Sequence, residues 1–155
     1  MPSNPRPYVV MFCALLAIGT VVTNAALGAT PPDATVTSVT ASGAPGHYVF
    51  NVTIRSNDTG CDHYADWWEV VDERGALLYR RVLLHDHADE QPFTRDGGPV
   101  PVTAKQTVTV RAHMNTSGYS SAAMRGTVES GFKTTTLPPR YAEELAKKPP
   151  LPERC

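Results

Sequence analysis

The feature that most constrains this chain is strict two-residue alternation. In His47 to Arg55 (HYVFNVTIR), Tyr48, Phe50, Val52 and Ile54 fall on every second position. Successive side chains of an extended strand point to opposite faces, so this spacing buries one face and leaves the other to solvent. Thr107 to His113 (TVTVRAH) repeats the pattern with Val108, Val110 and Ala112, and Thr35 to Thr40 (TVTSVT) is rich in β-branched residues that favour strands. Two further apolar runs, Tyr64 to Val71 and Ala76 to Leu84, flank Asp72-Glu73-Arg74-Gly75, a short polar loop ending in glycine that predicts a β-hairpin. Pairing Val71 with Ala76 sets Val70 against Leu77, Trp68 against Tyr79 and Asp66 against Arg81. Trp67 and Trp68 then face opposite ways, and one of them is expected to lie outside the core, covered by Arg80 through a cation–π contact.

Between these runs the chain is punctuated. Ser42 to Gly46 and Ser56 to Gly60 read as turns. Pro92, Gly97, Gly98 and Pro99 exclude a regular central strand from His85 to Pro101. Asn115 to Ser121 reads as a loop and Met124 to Lys133 as a weaker last strand. Six or seven short strands separated by turn signals predict an all-β fold, an immunoglobulin/fibronectin-III-like β-sandwich. From Leu137 the composition shifts to Pro138-Pro139, a two-turn helix over Tyr141 to Lys148, and Pro149-Pro150-Leu151-Pro152. Residues 137–155 are therefore expected to be a proline-rich tail outside the core, serving as an extended spacer.

The start of the chain is of a different kind. Arg6 precedes an apolar run from Tyr8 to Val22, followed by small residues near Ala25 to Gly28, the pattern of a secretory signal peptide. The expected division is a signal over 1–28, the β domain over 29–136 and the tail over 137–155. The product is exported, periplasmic or secreted, with membrane anchoring as the alternative if the segment is not cleaved. The net charge of −1 and interspersed acids and bases offer no cationic surface for nucleic acid.

Five histidines are present, and their placement is uneven. Extending the hairpin past Tyr64 and Leu83 brings Asp62 opposite His85 and His63 opposite Leu84, while His85 and His87 project to one side of an extended segment. In a sandwich, His113 at the end of the penultimate strand falls near the same rim. Neutral imidazoles with a carboxylate suit Zn²⁺ or Cu²⁺, so His63, His85, His87, Asp62 and His113 form a candidate metal set. The competing reading is a group of rim histidines hydrogen-bonded to nearby acids. Cys61 and Cys155 remain after signal removal, and an oxidising compartment permits a bond between them, a bond between two chains, or two free thiols. No nucleophile elbow, zinc-protease helix, phosphate loop or dinucleotide fingerprint occurs, so the domain is read as non-catalytic, with an unknown protein or envelope component as partner.

The stretch Thr59 to Arg95 resembles a family of uncharacterised exported bacterial proteins. The shared residues are Thr59-Gly60, Asp62 to Asp66, Trp68 to Val70, Arg81 to Leu83, His85, His87 and Glu90 to Arg95, followed by Val108 to Ala112 and Gly118-Tyr119. That resemblance implies export and a β fold, and it implies no activity. In the family a tryptophan stands where this chain has Cys61, and a histidine precedes the Gly-Tyr pair where this chain has Ser117.

Overall fold

The structure is a computed structural model describing Met1, residues 33–153 and Cys155. The expected signal segment lies outside the described residues. Among the described residues no helix is long and apolar enough to cross a membrane. The strands and the sites between them all belong to one compact unit, Pro31–Cys155.

The alternating segments form strands as their spacing dictates. The strands are β1 (Ala34–Ser42), β2 (Tyr48–Ser56), β3 (Ala65–Asp72), β4 (Leu77–Val82), β5 (Phe93–Val100), β6 (Val108–Met114), β7 (Gly118–Tyr119), β8 (Ala122–Thr127) and β9 (Gly131–Thr136). They build two antiparallel sheets: β1-β2-β5, and β4-β3-β6-β8-β9 with β7 paired to β6. The chain is all-β, and the two sheets face each other across one core. Tyr48, Phe50, Val52 and Ile54 of β2 are all buried there with Trp68, Val70, Val110 and Ala112 of the larger sheet.

Three expectations need correction. The segment read as a long connection without a regular central strand contains β5, which pairs only with β2 and is therefore an edge strand, where proline is tolerated. Its glycines have a packing reason. A Cβ on Gly97 would stand 2.7 Å from the Tyr79 ring and 2.8 Å from the Trp68 ring, so the sheets approach this closely only without a side chain. The last strand is instead a hairpin, β8 and β9, turning through Thr127 to Ser130 with Gly131 at φ 80°. The β3–β4 register also differs. Val70 faces Tyr79, Trp68 faces Arg81 and Glu69 faces Arg80, with an irregularity between Val70 and Val71. The bulge shifts the ladder so that Glu69 meets Arg80 on one side and Arg111 of β6 on the other. An ion pair thus stands where simple apolar matching predicted none.

The central strands β3 and β6 are buried on both faces, β6 at all seven positions. Both tryptophans are inside: Trp68 at 0% exposure in the core, and Trp67 at 3% on the opposite face. The cation–π contact holds as expected, with the Arg80 guanidinium 4.3 Å from the Trp67 ring centre. The expected exposure of one tryptophan does not hold, because the segment from Leu137 to Pro150 lies over that outer face as a third layer. The expected helix is a short 3-10 helix, Glu143–Lys147, whose Leu145 is buried at 3% exposure. Burying one leucine contributes about 1.5–3 kcal/mol. Arg140 (φ 61°) and Ala142 (φ 44°) adopt left-handed backbone, a conformation that costs non-glycine residues about 1–3 kcal/mol each and persists only under outside constraint. The tail is a docked strap rather than a spacer.

Candidate functional site

The constraint on the strap comes from a buried ion cluster. Trp67 and Glu69 of β3, Arg80 of β4, and Arg111 and His113 of β6 share the outer face, because the registers place Glu69 between the two arginines and Trp67 beside His113. Glu69 is fully buried. Its Oε2 accepts from Arg80 Nε at 2.9 Å and its Oε1 accepts from Arg111 Nε at 2.9 Å. Two guanidiniums on one carboxylate leave a net positive charge in a dry site, a costly arrangement unless the remaining donors find acceptors. They find them on the strap. Arg80 donates to the carbonyls of Leu145, Lys148 and Pro150, and Arg111 to those of Tyr141 and Ala142. Backbone carbonyl oxygens carry partial negative charge, so they offset the excess cation. The Arg111 guanidinium also lies 3.5 Å from the centre of the Tyr119 ring. Burial pushes the Tyr119 phenol up to about 12, with the nearby Glu69 charge adding to it.

Next to this cluster His113 stacks on Trp67 at 3.7 Å between ring centres, and its Nδ1 lies 2.7 Å from Asp66 Oδ1. That bond fixes the imidazole and leaves Nε2 to a pocket of about 260 Å³, lined by His113, Arg111, Tyr119, Pro138 and Tyr141. An oriented Asp–His pair is a general-base geometry, but the nucleophile or bound group it would act on is not fixed beside it. Apolar matching along the hairpin sets Asp66 opposite Arg81 and so misses this pair.

The residues expected to share a metal are committed elsewhere. His113 is held by Asp66. His63 Nδ1 lies 2.6 Å from Thr116 Oγ1, and His85 Nδ1 lies 2.8 Å from the Asp86 carbonyl. His87 is buried and stacked 3.8 Å from the Phe93 ring centre. The hairpin extension that would align Asp62 and His63 with His85 and Leu84 does not form. Instead β4 ends at Val82, Gly60 and His63 bridge each other, and Leu83 N–H donates to the Asp66 carbonyl. A Zn²⁺ or Cu²⁺ site on His63, His85, His87, Asp62 and His113 is not supported by this geometry. Among the described residues, the group of three donors close enough to share an ion is Cys61, Asp86 and Cys155, and its two sulfurs are bonded to each other. That disulfide ties the far end of the strap to the loop before β3 across 94 residues of sequence.

The sequence matches no family model, and no solved structure matches it. A curated protein of Halomicrobium mukohataei named "Putative lipoprotein" is 43% identical over 100 residues, 64% of this chain and 49% of that protein. The chain thus spans about half the length of the curated relative it matches.

Proposed function

We propose that this chain is an exported, non-catalytic β-sandwich module of immunoglobulin/fibronectin-III type, acting as a rigid interaction or structural unit of the cell envelope. The observation that carries this reading is how the outer-face cluster spends its hydrogen bonds. Of the buried charges with the residue types of an active site, Glu69 accepts from Arg80 and Arg111, and the two arginines direct their remaining donors to the chain's own strap. A cluster whose polar capacity is consumed internally stabilises a surface rather than transforming a ligand. Two further points support the envelope. The similar protein carries a lipoprotein name, and a Cys61–Cys155 disulfide persists in oxidising compartments. The three-strand sheet packed on a larger sheet, with the chain passing between them at β3 and again at β5 and β6, supports the sandwich type.

The test is fractionation of cells producing the full chain, with free thiols alkylated before lysis. The purified protein and its His113→Ala variant are then assayed against ester, phosphoester and glycoside substrates. The reading expects envelope or extracellular recovery, Cys61 and Cys155 that resist alkylation until reduced, and no turnover above buffer in either protein. Turnover lost in His113→Ala, or a reduced cytosolic protein, would overturn it.

A further inference from the structure

A second concave site lies away from the strap, at the seam between the two sheets. β4 and β5 are edge strands of opposite sheets, and Gly97 brings them together at Tyr79. Arg81 shares its face of β3–β4 with Trp68, and Arg95 shares its face of β5 with Phe93 and Gly97, so both arginines turn toward the seam. The loop after β4 then folds over the opening and adds His85 and His87, whose ring centres are 4.6 Å apart. The result is a pocket of about 100 Å³ lined by Arg81, Arg95, His85, His87 and the apolar Val82, Leu83 and Leu84.

Its lining holds two guanidiniums and two imidazoles and no carboxylate. Arg95 is balanced from outside by Glu90, which accepts from both of its terminal nitrogens, the shorter contact being 2.7 Å. Arg81 has no hydrogen-bond or ion-pair partner among the described residues, so its charge is uncompensated. Like charges gathered in a concavity with apolar walls focus a positive potential. The volume equals about three waters of liquid, well below the size of an ordinary small-molecule site. It fits one compact charged group.

We propose that this seam pocket binds a tetrahedral oxyanion, a phosphate or sulfate group, between Arg81, Arg95, His85 and His87. Arg81 supplies the uncompensated charge, Arg95 the second guanidinium, and the imidazoles supply donors once protonated. Guanidinium forks match such oxygens geometrically. His87 is 3% exposed and its Nδ1 is buried without a partner, 3.8 Å from Asp58 Oδ2. Burial, with Arg95 and His85 adding repulsion, holds its imidazole below the usual histidine range, against the opposing pull of Asp58 and Glu90. An anion beside it reverses that balance, so binding takes up a proton and strengthens as pH falls. Leu84, 68% exposed at the pocket, stands ready to touch whatever surface carries the anion. The oxyanion is therefore either free in solution or the phosphate of a lipid headgroup.

The experiment uses the full chain. Inorganic phosphate and sulfate are titrated by calorimetry against chloride at matched ionic strength, at pH 5.5 and 8. Co-sedimentation with phosphatidylglycerol vesicles forms a parallel arm. Expected is saturable phosphate or sulfate binding at about 1 mM or tighter at pH 5.5. Sulfate, whose charge does not change across this range, should bind about ten-fold more weakly at pH 8, and either ion at least about ten-fold more weakly in Arg81→Ala, an exposed side chain whose loss leaves the fold intact. Arg81-dependent sedimentation that is also reduced in Leu84→Ser, without binding of the free ions, would assign the same pocket to a headgroup phosphate. No saturable signal to about 50 mM, beyond screening, with no Arg81-dependent sedimentation, overturns the proposal. So does binding that is equal in wild type, Arg81→Ala and Arg95→Ala.

Discussion

Replacing Glu69 with glutamine removes one charge and almost no volume, and it tests the account of the outer face most directly. In the native protein the Glu69 carboxylate is the counter-ion of both Arg80 and Arg111, and all three side chains are at most 1% exposed. Glutamine keeps one carbonyl acceptor but leaves two buried guanidiniums with carbonyls alone. Its NH₂ would also point at a guanidinium that has no acceptor to offer. Breaking a buried pair by removing one partner costs about 3–5 kcal/mol, and here two pairs share the partner, so the upper part of that range is expected. A domain of this size has only about 5–15 kcal/mol in all. The thermal midpoint should therefore fall by about 10–20 °C. Arg125→Ala, which breaks the exposed Glu73 pair, should change stability by less than about 1 kcal/mol. Urea unfolding followed by tryptophan fluorescence measures both. A loss below about 1 kcal/mol in Glu69→Gln would refute the claim that this carboxylate holds the two arginines in place.

Other perturbations read other parts of the fold. Gly97→Ala should cost about 1–3 kcal/mol by pushing the Tyr79 and Trp68 rings, seen as a lower urea midpoint at unchanged slope. Cys155→Ser removes a closure of 94 residues, worth about 4–5 kcal/mol in the chain-entropy picture, and should open the chain to proteolysis near Pro138–Pro139 before the sandwich unfolds. His87 has a depressed folded pKa, so the unfolded chain binds the extra proton. Stability should decline as pH falls below about 6.5, and His87→Gln should flatten that slope in pH-dependent melts without added anion. Spectrophotometric titration should find the Tyr119 phenol still protonated at pH 11, ionising near 12 or on unfolding.

The sandwich is legible in the sequence because β2 and β6 spell out their buried faces every second residue. The hairpin is legible because Asp72 to Gly75 is a turn whatever lies around it. The register is not legible. A bulge after Val70 moves every partner, and nothing local distinguishes Trp68 opposite Tyr79 from Trp68 opposite Arg81. β5 is hidden because Gly97, Gly98 and Pro99 read as loop residues, while their real constraint is the closeness of the facing sheet. The histidines can be counted from the sequence but not grouped by it. Their partners, Asp66, Thr116 and Phe93, are fixed by tertiary contacts that spacing does not encode. The strap is obscure for a related reason: its sequence is that of a spacer, and its fixity resides in Arg80 and Arg111, far away in the chain.

The dependence of the strap on distant arginines explains why the outer face is charged at all. A strap of short 3-10 turns and prolines presents carbonyls with few amide donors to match, so it can be held only by a surface rich in donors. An apolar face would bury the carbonyls of Tyr141, Lys148 and Pro150 unsatisfied, at about 1–3 kcal/mol each. Arginine suits the task because its planar fork offers five donors and accepts nothing, and Glu69 makes two such forks tolerable side by side. Replacing a buried ion cluster by hydrophobic residues often stabilises a protein, but here it should not. A Glu69→Leu/Arg80→Met/Arg111→Met variant leaves the strap carbonyls of Tyr141, Lys148 and Pro150 without a donor, and those of Ala142 and Leu145 with only the backbone N–H groups of Leu145 and Lys148. It should keep a folded sandwich by circular dichroism and yet lose the strap, with faster amide exchange confined to residues 139–150 and Trp67 newly open to quenching. An unchanged strap in that variant would mean that Leu145 and the disulfide hold it and that the arginines do not.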